Sequence, residues 1–119
     1  TMYKTEIQVN GKNIPIRFGA YVIKCLADAG VRLTELSEQM TSNPADIMPK
    51  IIFYGALNAS ENREGKGISI NDIYDWLDEV EGGLFGEKVG EVLLLFTNQM
   101  TDGVPKNAIA EVETPHPKK

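Results

Sequence analysis

Tyr3, Thr5, Ile7 and Val9 alternate with Lys4, Glu6 and Gln8 at the start of the chain, the period-two pattern of a strand with one buried face. Asn10-Gly11 follows. Both residues tolerate positive φ, so a tight hairpin turn is predicted there. Ile14, Ile16 and Phe18 then alternate with Pro15 and Arg17. Pro15 has no amide donor and should turn its nitrogen away from the ladder. A lone hairpin is marginal in water, so this one must lie on helices or pair with another chain.

From Gly19 the period becomes helical. Val22, Cys25, Leu26 and Ala29 form one stripe, and Gly30 is suited to end the helix. Leu33, Leu36 and Met40 align on a short second helix, and Thr41-Ser42-Asn43-Pro44 reads as a loop. The third helix could be capped by Asn43, with Pro44 first, or by Asp46. Asp46 is preferred, because Pro49 then falls where no amide donor is needed. Ile51 to Leu57 is apolar all round, which marks the buried centre of a domain. Gly55 would let a neighbouring helix come close. After a polar loop over 61–67, Ser69 and Asp72 resemble a capping box, with Ile68 and Ile73 at the staple positions. Ile73, Trp76, Leu77 and Val80 then recur at helical spacing, opposite Asp72, Asp75, Asp78 and Glu79. Gly82-Gly83 ends this helix or makes a hinge. A last helix should bury Phe85, Val89, Val92, Leu93 and Phe96, and Gly90 within it suggests close packing.

The pattern therefore predicts an α+β, mainly α, fold. One globular domain spans 2–100, with a hairpin over 2–18 and four to five helices around one core. The helices are expected at about 19–30, 33–41, 46–59, 70–81 and 84–100. Residues 101–119 carry three prolines and few apolar residues, the composition of a disordered tail. Met2 is read as the initiator and the first residues lack the apolar stretch of a signal peptide.

Composition adds little to this and charge adds more. The 119 residues, 42% hydrophobic and 24% charged, suffice for one core without a metal or disulfide staple. A single cysteine, Cys25, cannot form an internal disulfide and fits a reducing compartment. No apolar run approaches the roughly 18 residues of a membrane span. Residues 1–33 carry five basic and two acidic groups, whereas residues 34–100 carry four basic and twelve acidic. An acidic middle argues against nucleic acid as the main ligand, because phosphate binding needs clustered Lys and Arg. The basic groups Lys4, Lys12, Arg17, Lys24 and Arg32 are the material for the opposite reading.

Candidate chemistry is sparse. The only histidine, His116, lies between two prolines in the tail and cannot join a fixed nucleophile–base pair. Cys25 sits on an apolar stripe, where a buried thiol is expected. No set of ligands has transition-metal spacing. The loop before Ser69 fails as a calcium loop: with Gly67 at the turn, Lys66 takes the fifth position and Ile73 the twelfth, where a glutamate must bind. Gly82, Gly83 and Gly86 lack the Lys-Ser or Lys-Thr of a phosphate loop. Asp75 with Asp78 or Glu79 share a helix surface, but opposite the buried stripe they should be solvated. No catalytic residue, metal or cofactor is expected, and the chain is read as a non-enzymatic binder of proteins.

Three segments together resemble a known family: Ile16-Arg17-Phe18-Gly19 leading into a helix, Ile52-Phe53-Tyr54-Gly55-Ala56-Leu57, and Ser69-Ile70-Asn71-Asp72-Ile73-Tyr74-Asp75-Trp76-Leu77-Asp78-Glu79. Their order is similar to that in the tail assembly chaperones of long-tailed bacteriophages and prophages, in particular those of Bacteroidetes. The resemblance covers roughly residues 2–100. It implies a chaperone that binds the helical tape measure protein, helps recruit tail tube protein around it in the host cytoplasm, and is absent from the finished virion. It implies no nucleic-acid or membrane partner and is compatible with a homo-oligomer. A groove between amphipathic helices suits a helical client. The expected client face is Tyr74, Asp75, Asp78, Glu79, Leu84 and Phe85. The competing expectation is a structural or adaptor component of the particle, such as a head–tail connector, that uses the hairpin for strand addition between subunits.

Overall fold

The structure, a computed structural model, describes residues 3–102. It is α+β and mainly α: an antiparallel hairpin followed by five helices. Strands β1 (Lys4–Val9) and β2 (Lys12–Arg17) pair with Val9 opposite Lys12 and Ile7 opposite Ile14. Asn10 and Gly11 make the turn at φ 53° and 78°, as their dipeptide predicts. The Phe18 amide donates to the Tyr3 carbonyl at 3.0 Å. Bonded pairs alternate along an antiparallel ladder, so Glu6 and Pro15 form a non-bonded pair and Pro15 turns its nitrogen outward. Ile7, Val9, Ile14 and Ile16 are buried against the helices, which answers the demand of an otherwise marginal hairpin.

Helices α1 (Ala20–Asp28), α2 (Leu33–Ser42), α3 (Pro44–Ala59), α4 (Ile70–Glu79) and α5 (Glu87–Asp102) follow. α3, apolar all round over residues 51–57, is the hub, packed against β2 and against α1, α2, α4 and α5. Phe96 of α5 reaches Phe18 at the end of the hairpin, ring centroids 5.5 Å apart. Tight packing at Gly55 is present, but the neighbour is the hairpin rather than a helix. A Cβ at Gly55 would stand 2.7 Å from Ile16 and 2.8 Å from Phe18.

Several sequence expectations need correction. The segment Thr41–Pro44 is not a loop. α2 runs to Ser42 and α3 starts at Pro44, with Asn43 as the hinge between them. Asn43 rather than Asp46 is thus the cap, and Pro49 lies inside α3. The last helix begins at Glu87, because Gly83–Phe85 forms a separate single 3₁₀ turn. Phe85 is therefore not in the core and is 76% exposed. Gly90 faces open space, so close packing does not explain it. α5 extends through Thr101 and Asp102, and the rest of the expected tail, with His116, lies outside the described residues. No described helix is long and apolar enough to cross a membrane.

Candidate functional site

α4 starts with a complete capping box. The Asp72 amide donates to Ser69 Oγ at 3.3 Å, and the Ser69 amide donates to Asp72 Oδ2 at 3.0 Å. That fixes the helix phase. Ile73, Trp76 and Leu77 go into the core, while Asp75, Asp78 and Glu79 go to solvent, as expected. Tyr74 lies at the boundary, 38% exposed.

The Tyr74 hydroxyl donates to the Ala45 carbonyl at 3.0 Å. Pro49 explains why that carbonyl is free. In an uninterrupted helix the amide of residue 49 would bond to it, but proline has no N–H. Tyr74 supplies the missing donor and ties α4 to the first turn of α3. Ala45, Pro49, Tyr74, Leu77, Asp78, Gly83 and Leu84 line an open cleft of about 330 Å³.

The far wall of this cleft depends on glycines. Gly82 and Gly83 are both left-handed, at φ 86° and 66°. A Cβ on Gly82 would lie 2.7 Å from the Gly86 Cα, and one on Gly86 would lie 2.6 Å from the Glu81 carbonyl oxygen. The chain closes on itself here in a way that side chains would forbid. This closure lifts Leu84 to the cleft and leaves Phe85 projecting. Glu81 and Gly82 of the same loop, with Glu87, Lys88 and Glu91, line a polar recess of about 460 Å³. The exposed Phe85 follows Leu84 of the cleft in the same turn.

The predicted site residues divide. Tyr74, Asp78 and Leu84 share the cleft, and Phe85 adjoins it on the Leu84 turn. Asp75 points elsewhere: its Oδ2 accepts from Asn10 Nδ2 at 3.5 Å, at the hairpin tip. Nearby, Lys12 pairs with Asp72 at 3.6 Å and donates to the Gly67 carbonyl at 2.8 Å. Glu79 is exposed and does not line the cleft.

No protein-family model matches the chain, no curated protein is similar to it, and no solved structure matches its fold.

Two features escaped the sequence reading. The first is a second apolar cleft, of about 440 Å³, where Leu33, Leu36 and Met40 of α2 face Thr97 and Met100 of α5. Its residues read as a core stripe, yet Leu33 is 50% exposed. The second is a polar node around Asn58, a buried residue. Its Nδ2 donates to the Arg17 carbonyl at 2.9 Å, and its Oδ1 accepts from Arg17 Nη2 at 3.3 Å and from Arg63 Nε at 2.9 Å. Arg63 also lies over the Tyr21 ring, 5.0 Å from its centroid, a cation–π contact. A hydrogen bond with Cys25, above all, holds the Tyr21 phenol above its ordinary pKa. Cys25 itself is half-buried rather than fully enclosed. The node clamps the end of β2 onto α3. It also engages Arg17, while Lys24 pairs with Asp28 at 2.8 Å, so much of the basic N-terminal segment already has partners within the chain. Among the described residues, no three His, Cys, Asp or Glu side chains are grouped to hold a metal ion.

Proposed function

We propose that this chain is a non-enzymatic tail assembly chaperone that binds the tape measure protein in the host cytoplasm while tail tube subunits assemble around it. The family resemblance implies the client, and the apolar cleft beside α4 supports the reading. The observation that carries the reading is Phe85. A phenylalanine is held in solvent by a turn that only glycines permit, beside a cleft already lined by Tyr74, Leu77 and Leu84. Folding gains nothing from that arrangement, because the transfer free energy of a buried Phe is forgone. A partner that buries Phe85 recovers it.

The apolar stripe of a client helix would lay anchor residues into the cleft, with Phe85 inserting between them. Asp78 in the cleft and Glu81, Glu87 and Glu91 of the neighbouring recess, with Lys88 the one basic residue among them, leave this region net acidic, which opposes self-association through it. Basic residues flanking the client stripe would find these carboxylates.

Co-expression with a tape measure protein tests the reading. The wild-type chain should keep the client soluble and co-purify with it. Phe85→Ala and Tyr74→Ala should release it, and so should charge reversal at Asp78, whereas reversal at Asp75 or Glu79, which lie off the cleft, should not. Recovery of this chain from purified particles would instead favour the structural-component reading.

A further inference from the structure

The hairpin has two outer edges, and they differ. On β2 the outward-facing backbone groups belong to Asn13, Pro15 and Arg17, and Pro15 removes the central donor. On β1 they belong to Lys4, Glu6 and Gln8. Among the described residues, none of these three backbones bonds to anything beyond the hairpin ladder, and all three residues are exposed. One edge is thus blunted by proline and the other is open to a further strand.

Among the described residues, the charges on the open edge lack ion-pair partners. Across the ladder Lys4 faces Arg17, a like charge, and Glu6 faces Pro15. Neither Lys4 nor Glu6 forms an ion pair among the described residues.

We propose that β1 is the docking edge for a second copy of this chain, paired antiparallel about a two-fold axis through Thr5. The axis follows from charge. Outward-facing residues must pair with outward-facing residues, so a two-fold axis can centre on Lys4, Thr5 or Glu6 within the charged half of the strand. Centring on Lys4 sets Lys4 against itself, and centring on Glu6 sets Glu6 against itself. Centring on Thr5 sets Lys4 against Glu6 of the second copy, and Glu6 against Lys4 of the second copy. Each such pair exchanges both backbone hydrogen bonds, and Thr5 meets Thr5 between them, a favourable cross-strand pair. The contact is isologous and closes at a dimer, since Pro15 blocks the remaining edge. The two hairpins become one continuous sheet, and none of the cleft residues lies on this edge. An edge contact alone buries little area, so the dimer is weak and concentration-dependent. The pairing does not depend on the chaperone reading.

Sedimentation velocity on the full chain over a concentration series tests it. The wild type should shift from the 13.1 kDa monomer towards twice that mass, and added salt should oppose the shift. Lys4→Glu alone and Glu6→Lys alone should stay monomeric where the wild type dimerises, because each sets like charges face to face. An equimolar mixture of these two variants should dimerise again, since their edges complement each other. Thermal transitions of the variants verify that both remain folded. A wild type that stays monomeric throughout overturns the proposal. So does either single reversal dimerising like the wild type, or a mixture of folded variants that stays monomeric.

Discussion

Pro49 and Tyr74 form a pair whose logic is visible only together. Proline inside α3 deletes the bond to the Ala45 carbonyl, and the Tyr74 hydroxyl replaces it at 3.0 Å. Tyr74→Phe should therefore cost about 0.5–1.5 kcal/mol, read from urea unfolding. In a Pro49→Ala background the helix supplies its own donor, so the same substitution should cost less. Equal costs in the two backgrounds would mean the hydroxyl is not standing in for the missing amide. Asn58 is the more costly residue to remove. Asn58→Ala leaves the Arg17 carbonyl and Arg63 Nε without their buried partner, while Arg17 Nη2 keeps the main-chain carbonyl of residue 58, and a loss of about 1–3 kcal/mol is expected in the same measurement. Neither role could be read along the chain. Asn58 looks like one more polar residue near a helix end, and the choice between Asn43 and Asp46 as cap turns on a tyrosine from another helix.

At the scale of elements, periodicity did most of the work. The hairpin, its Asn10-Gly11 turn and the capping box at Ser69 are local devices, and each appears where local chemistry puts it. The misplacements occur where tertiary structure decides. Phe85 is in phase with the buried stripe of α5, so a helix starting at residue 84 would have enclosed it. The closed loop from Gly82 to Gly86 ends that continuity and turns Phe85 outward. Gly55 signalled a close approach, but which element approaches was not legible, because residues 51–57 of α3 are apolar on every side. Gly55→Ala should cost about 1–3 kcal/mol, as Ile16 and Phe18 are forced away from α3. A denaturant midpoint unchanged by that substitution would contradict the hairpin-on-α3 packing. Gly86→Ala should act on the site itself. Its Cβ meets the Glu81 carbonyl, so the Leu84–Phe85 turn must shift, and client binding should fall even where the fold persists.

Across the whole molecule, the charge asymmetry read from the sequence acquires an arrangement. Many basic groups near the N-terminus are drawn into contacts, Lys12 with Asp72 and Arg17 with Asn58. Many of the acidic groups remain outside: Glu81, Glu87 and Glu91 line the recess beside the Gly82–Gly86 loop, Asp78 lines the apolar cleft, and Phe85 is the most exposed of the large apolar side chains among the described residues. The proposed client face and the proposed β1 edge use different surfaces, so each can fail without the other. The central claim is that Phe85 anchors a helical client. Isothermal titration of an amphipathic tape measure fragment into the wild-type chain and into Phe85→Ala tests it most directly. The account predicts wild-type binding that weakens about tenfold or more on truncation, roughly 1.4 kcal/mol or greater, with the thermal transition of the chain unchanged. Equal affinity for both proteins, or no binding to either, would contradict it.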